Sequence, residues 1–590
     1  MGKIFIHNQK GLMMITAYMI IAAMSIFAAA AIKMATTEYN FAMRYFNSMK
    51  TFYLAEAAAE EISFDLADRV AAEEDSDKSA LDQWNDPCLN DSDYLSTGCE
   101  LESVCLVLDE YHEDPDPDSN TTVRHFLVSA KVTDPDTGKS STVNNLLRCS
   151  KDDVFRYVIF YNEDLEILPG SYMALTGDIH CNRDIYLSTS ATLRIDADNL
   201  NAAGNIYNKR KDQDRTDRGD VEIRRRDSFW FPHMWYRWWE GAPLDSRRSD
   251  WGTSSQNRWR GTVKSGVHGI YSKAVADIFS IQPDGFYAET ADVTVINGDI
   301  FRGTTQLREV AYDDHNGDGT IDANDFGPND IPEGTINTSA DRFYNYREGK
   351  YIKMTDIDLK KLAGFIQVDG GEGEPVEQQL YPNQLPANGL LYATRNDATG
   401  SEQPGIRVIN GARISNTDGL TLVSDAPAYI QGDFNVQNYG GDPSNKKPVA
   451  VISDALNILS NNWDDDNSLK GLGDRTADDT EVNAAFISGA DETLGSTYGG
   501  GLENYPRLHE NWTGRTLKIR GSFVNLWDCQ VAEGQWGDSS YSAPERDWDY
   551  DPDFLEEEDL PVYTPKVVGI EKEATWVGEF DVEGYLERQS

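Results

Sequence analysis

Cysteine and basic residues are both scarce in this chain. Six cysteines among 590 residues cannot build a disulfide-held scaffold. Lysine and arginine total 53 against 99 aspartates and glutamates, a formal net charge of −46. Every phosphate of a nucleic acid would meet a repulsive field, so nucleic acid is not an expected partner. Also absent are the Walker loop, GxSxG, HExxH and dinucleotide-binding motifs, and no catalytic residue is assigned. Disorder is excluded as well, because 39% of residues are hydrophobic and 11% aromatic. The length allows several domains, or one elongated one, with ample core.

What is present begins at the N-terminus. A short, weakly basic stretch (residues 1–11, with Lys3 and Lys10) precedes an uncharged apolar run at 12–32. At about 1.5 Å per residue this run makes roughly 31 Å of helix, enough to cross a bilayer. The positive flank keeps the N-terminus in the cytoplasm. A cleaved signal peptide would use the same flank, with Ala28, Ala29 and Ala30 near its cleavage site. Residues 33–72, however, contain neither Pro nor Gly and are rich in helix formers. Phe41, Tyr45, Phe52, Ala55, Ala59, Ile62 and Leu66 recur near helical spacing. The expectation is one continuous rod of about sixty residues, which a cleaved signal has no reason to precede.

Lys10-Gly11, the apolar start Leu12-Met13-Met14-Ile15 and the segment Tyr53-Leu54-Ala55-Glu56-Ala57 together resemble a type IV prepilin, specifically a PilX-type minor pilin. The resemblance implies cleavage between Gly11 and Leu12 by prepilin peptidase. It also implies residence in the bacterial inner membrane as a single-pass protein with a periplasmic C-terminus, then assembly with other pilins or pseudopilins into a pilus at the cell surface. In major pilins the fifth mature residue is Glu, whose carboxylate pairs with a neighbouring subunit's N-terminal amine. Here that filament-docking position is Thr16. The missing acid fits a subunit with no pilin to dock onto.

Residues 73–150 read as a small sheet domain, with strand-like segments at 103–108, 125–132 and 142–147. Cys88, Cys99, Cys105 and Cys149 lie here, and an even count in an exported protein suggests two disulfides, the alternative being buried thiols. Cys181 and Cys529 stand alone, as one long-range bridge or two core thiols. From 151 to 590 short β segments follow Gly, Asn and Asp, as in Thr176-Gly-Asp-Ile-His180, Ala203-Gly-Asn-Ile-Tyr207 and Asn297-Gly-Asp-Ile-Phe301. The first two of these phrases are 27 residues apart. The expected class is therefore α+β, mainly β, with a large β-solenoid-like head carrying insertions and a β-sandwich as the alternative. Residues 419–565 also resemble the C-terminal portion of PilX-type proteins, through Tyr429-Ile-Gln-Gly-Asp433, Ala450-Val-Ile-Ser-Asp454 and Leu502-Glu-Asn-Tyr-Pro-Arg507.

Two stretches invite ligands. In 314–325, Asp314, Asn316, Asp318, Thr320 (through its carbonyl), Asp322 and Asp325 fall where a Ca²⁺ loop places oxygens, with Gly319 at the turn. The terminal Asp makes it resemble a dockerin-type loop, although only one copy is found. A structural Ca²⁺ is expected, against a solvated acidic turn. The run Asp464-Asp465-Asp466-Asn467 lacks that order and reads as a turn.

Residues 208–265 reverse the global charge, with 14 basic and 9 acidic residues and six of the chain's 13 tryptophans. Arg224, Arg225 and Arg226 with Trp230, Trp235, Trp238 and Trp239 are the candidate surface for a glycan or other surface ligand. The alternative is that these tryptophans form the insertion's own core while the arginines pair with the acidic body. The functional expectation is a structural, assembly-priming subunit with a displayed, adhesive head. The rival is a membrane-anchored or secreted β-helical carbohydrate-active enzyme, which a convergent acid pair in a cleft would favour.

Overall fold

The computed structural model describes residues 5–72, 98–112, 122–213, 215–225, 239–241, 245–338, 343–369, 375–416, 418–441, 446–491, 493–495, 498–537 and 540–578. One long, apolar N-terminal helix precedes a large region that is mostly β. The chain forms two compact units. The first comprises Met1–Tyr111, Arg124–Cys149 and Glu571–Ser590; the second comprises His112–Val123 and Ser150–Ile570.

In the first unit the helix Phe5–Ala72 runs for 68 residues. Its continuity follows from its composition, since Ala, Met, Leu and Glu lose little freedom in a helix and no proline interrupts it. Thr51, Ala55, Ala58, Ala59, Ile62 and Leu66 are buried, three or four residues apart and therefore on one face. That face meets a sheet whose first four strands run in the order Glu100–His112, Thr122–Asp134, Lys139–Asp153 and Lys566–Val577. Thr51 and Ser141 share a hydroxyl hydrogen bond of 2.9 Å, and Asn145 donates to Ser63 at 3.3 Å. Phe41 and Tyr45, expected on the same buried face, are instead exposed, at 74% and 64%. The apolar periodicity begins before the packed part of the helix does.

The C-terminal strand changes the domain map. Residues 151–590 read as the head from sequence, yet the described residues from Glu571 to Gly578 belong to the first unit. Lys566–Val577 lies beside Lys139–Asp153, with Thr575 Oγ1 donating to Asn145 Oδ1 (2.8 Å) and the Gly578 amide to the Thr142 carbonyl (3.0 Å). The second unit is thus inserted between neighbouring strands of one small sheet.

Within the second unit, short strands pair in parallel, one rung above another. Ile159, Ile179, Leu200 and Val263 align across one ladder, Leu165, Ile185 and Ile206 across another, and Met173, Leu193 and Val221 across a third. Ile159, Ile179 and Leu200 mark the same corner of successive rungs and follow one another at nearly even intervals along the chain. The 27-residue spacing read from the Gly-Asp-Ile and Gly-Asn-Ile phrases joined strands of different ladders, since the same tight turn serves more than one corner. A second set of rungs runs through Leu391, Leu422, Val451 and Phe486 to Phe523, and another through Thr355, Ile406, Ala428 and Leu456. The inward residues of both sets form one apolar core.

The two sets share a seam. Phe523, Val524 and Asn525 pair in parallel with Ile159, Phe160 and Tyr161. Along this sheet the chain starts in the middle, climbs to Val263–Lys264, and resumes near the opposite end at Val293–Ile296, outside which it adds the antiparallel strands Asp299–Arg302 and Thr305–Gln306. It then returns rung by rung to the middle. The outermost strands, Val263–Lys264 and Thr305–Gln306, are two residues each, which leaves little edge for further pairing.

Candidate functional site

The apolar half of the helix is the first candidate surface. Leu12 to Ile15, Tyr18 to Ile21, Ile26 (70%) and Phe27 (75%) all project outward, and a membrane-length apolar window lies within the span Leu12–Ser63. The Ser and Thr hydroxyls in this half bond to the helix itself. Thr16 Oγ1 donates to the Leu12 and Met13 carbonyls at 3.0 Å, Ser25 to Ile21 at 2.8 Å and Thr36 to Ile32 at 2.7 Å. A surface whose hydroxyls are answered by its own backbone suits hydrocarbon. Thr16 is exposed, with its hydroxyl satisfied by its own helix. The side chains at 1–11, Gly11 included, lie outside the described residues.

The acidic loop at 314–325 folds onto its own amides. Asp314 accepts from Gly317 (2.7 Å) and Gly319 (2.8 Å), which bends the backbone across the expected first six ligand positions. Gly319 has φ +89°, a conformation that favours glycine. Asn316 accepts from the Asp318 amide, Asp318 from Thr320, and Asp322 from Asn324. Asp325, the one buried member, accepts from the amides of His315, Asn316 and Asp322 at 2.8–2.9 Å. Amides hold the Asp325 carboxyl below its ordinary range, and bonds from Thr320 do so for Asp318. Among the described residues no three His, Cys, Asp or Glu side chains gather as a metal-holding group. The backbone turn fits a cation loop, whereas the carboxylates face amides.

The basic, Trp-rich stretch resolves in part. Arg224 pairs with Asp196 at 2.7 Å across adjacent strands, and Arg225 is half-buried. Trp251 and Trp259 are buried with ring centroids 6.0 Å apart, and Trp251 Nε1 donates to Ser265. These two serve as local core. Arg226, Trp230, Trp235 and Trp238 lie outside the described residues, as does the side chain of Trp239. Of the cysteines, Cys99 and Cys149 are buried, while Cys88 and the side chain of Cys105 fall outside the described residues. Cys181 and Cys529 are two separate buried thiols and form no bridge. Asp465 of the second acidic run binds Arg407 at 2.7 Å and accepts from Trp463 Nε1.

Sequence reasoning missed a buried polar centre in the head. Arg507 and Arg347 share the Asp491 carboxylate at 3.0 and 2.6 Å, and Arg507 also holds Glu348. Beside them Glu166 accepts from the Thr493 hydroxyl, and Glu503 accepts from the Tyr498 hydroxyl and the Leu168 amide. Burial pushes the Glu166 carboxyl up to about 7, with the nearby Glu503 adding to the shift, and burial raises Glu503 as well. Glu166 Oε1, Tyr161 Oη and Asn525 Oδ1 have no protein partner, and all three residues line one cavity. It encloses about 30 Å³, room for about two waters and too little for a sugar ring. The local signal was Glu166 in the middle of the apolar run Leu165-Glu-Ile-Leu168.

No family model matches the chain, and no curated protein matches it. Among solved structures the chain is similar to the crystal structure of the competence-associated pilin ComZ from Thermus thermophilus. That superposition has a TM-score of 0.26 at 11% identity, over 90% of this chain and 97% of that one. A likeness at this level leaves fold and function to be argued from the chain's own residues.

Proposed function

We propose that this chain is a pilin-like subunit, anchored in the bacterial inner membrane through residues 12–32 with its bulk in the periplasm. It is later carried in a type IV pilus or related filament. The single helix Phe5–Ala72 supports this most directly, being apolar and outward-facing in its first half and packed on a sheet in its second. A cleaved signal gains nothing from such continuity. On this reading prepilin peptidase cuts after Gly11, and Thr16 supplies no carboxylate to a neighbour, as suits a PilX-type minor subunit that primes assembly. The inserted second unit is a β-solenoid-type head, a reading supported by its short parallel rungs recurring at near-even intervals. Its role is adhesive display. Ca²⁺ is a structural ion of the 314–325 loop, supported by the ligand spacing and the Gly319 turn.

Mass spectrometry of the mature N-terminus, from the native membrane fraction, tests this. A start at Leu12 is expected. A start near Ala31 would mean a removed export signal and end the pilin reading.

A further inference from the structure

An open groove of the head lies between Tyr312 and the hairpin formed by Phe365–Asp369 and Pro375–Gln379. Its volume is about 500 Å³, inside the roughly 300–1,000 Å³ range of small-ligand sites. The wall is firmly built. Tyr381 stacks on Phe326 with centroids 3.8 Å apart, and its hydroxyl donates to the Val310 carbonyl at 2.9 Å.

The formal charges lining the groove cancel, Lys360 and Lys361 against Glu333 and Asp358. Lys360 pairs with Glu377 at 2.9 Å, and the Lys361 ammonium donates to the Glu333 and Gly334 carbonyls. Asp358 accepts from the Lys361 amide and from Asn410. Among the described residues lining the groove, a phosphate, sulfate or cationic ligand therefore meets no net charge of opposite sign. What faces the open space is the 44% exposed Tyr312 ring, the half-buried Phe365 and Ile366, the exposed Gln367 amide and the exposed Glu333 carboxylate. Aromatic faces accept the C–H faces of pyranose rings, while an amide and a carboxylate take hydroxyl hydrogen bonds.

We propose that this groove binds a neutral oligosaccharide, with Tyr312 as the stacking platform and Gln367 and Glu333 as hydroxyl partners. The inference rests on the head being displayed outside the cell. Binding by purified protein can nevertheless succeed or fail whatever the mature N-terminus proves to be.

The test is calorimetric titration of the detergent-solubilised full chain with maltotriose, cellotriose and chitotriose, with heparin as an anionic comparison. At least one neutral trisaccharide should bind, and Tyr312→Ala and Gln367→Ala should each weaken it about tenfold or more. Both residues are exposed, so melting temperatures should hold. Should Tyr312→Ala melt early, Gln367→Ala alone decides. Absence of binding by all three sugars at millimolar concentration overturns the proposal, as does binding that neither substitution alters. Heparin binding that is lost in Lys360→Ala would overturn it in favour of an anion site.

Discussion

The apolar half of the N-terminal helix and the interior of the head treat polarity in opposite ways. From residue 12 to 32 the helix carries no charge, exposes its largest side chains and satisfies its Thr16 and Ser25 hydroxyls on its own backbone. The head buries the side chains of Arg347, Arg507, Glu348, Glu166 and Glu503 beside the half-buried Asp491 and matches most of their atoms with partners. The contrast separates two solvents. In hydrocarbon a charge at a helix centre costs about 2.5–3.5 kcal/mol, so an uncharged surface is the one compatible with it. A fold surrounded by water can enclose charges, provided each is answered.

Four experiments break or sharpen that contrast. The largest effect belongs to Arg507→Met, which leaves the buried Glu348 without its cation while Asp491 keeps Arg347; a loss of about 3–5 kcal/mol is expected in denaturant unfolding of the head. Next, Ile21→Arg places a charge at the centre of the apolar run. It should cost about 2.5–3.5 kcal/mol of insertion, read as a shift of the chain out of the membrane fraction. Full recovery in that fraction would mean the run is not the anchor.

Third, Ca²⁺ at about a hundredfold its Kd should stabilise the head by about 2.7 kcal/mol over chelator-treated protein. An unmoved melting temperature would leave the 314–325 loop a plain acidic turn. The smallest effect is a slope with pH. Burial raises both Glu166 and Glu510 to about 7, above the ordinary glutamate value, so the folded state holds their protons more tightly than the unfolded chain does. Their contribution is complete below the ordinary value and is lost as pH rises through about 7. The head should therefore melt higher near pH 5 than near pH 8, by about 1–2 kcal/mol per group, and Glu166→Gln with Glu510→Gln should flatten the slope.

Local patterns in the chain carried the helix and the β punctuation. An uncharged apolar run followed by a long stretch without Pro or Gly leaves few alternatives to a rod, and Phe5–Ala72 is that rod. The Gly-Asp-Ile phrases do mark turns into strands, such as Ile179–Cys181 and Asp299–Arg302. Their spacing misled because corners of different ladders look alike in sequence. The return of Lys566–Val577 to the first sheet could not be read at all. It brings Thr575 to Asn145, 430 residues earlier, and such non-local pairing leaves no mark on either strand. Nor could the Arg507 centre be read, whose partners Glu348 and Asp491 lie 159 and 16 residues away. The acidic loop shows the opposite limit: spacing located the turn, while the placement of Asp325 against amides emerged only from the folded loop.

The seam between Ile159–Tyr161 and Thr516–Asn525 has a consequence in time. A chain that emerges N-terminus first completes Ile159–Tyr161 long before its lower neighbour exists. Asn162 and Leu526, hydrogen-bonded across the seam, are 364 residues apart. During that interval the strand presents an unpaired backbone edge on that side, the kind of template that recruits foreign strands. The upward rungs can already stack on its other side, so half the ladder ripens early while the seam waits. Its closure is the last and slowest event expected in this head, and a chaperone guarding the nascent chain would find its work there.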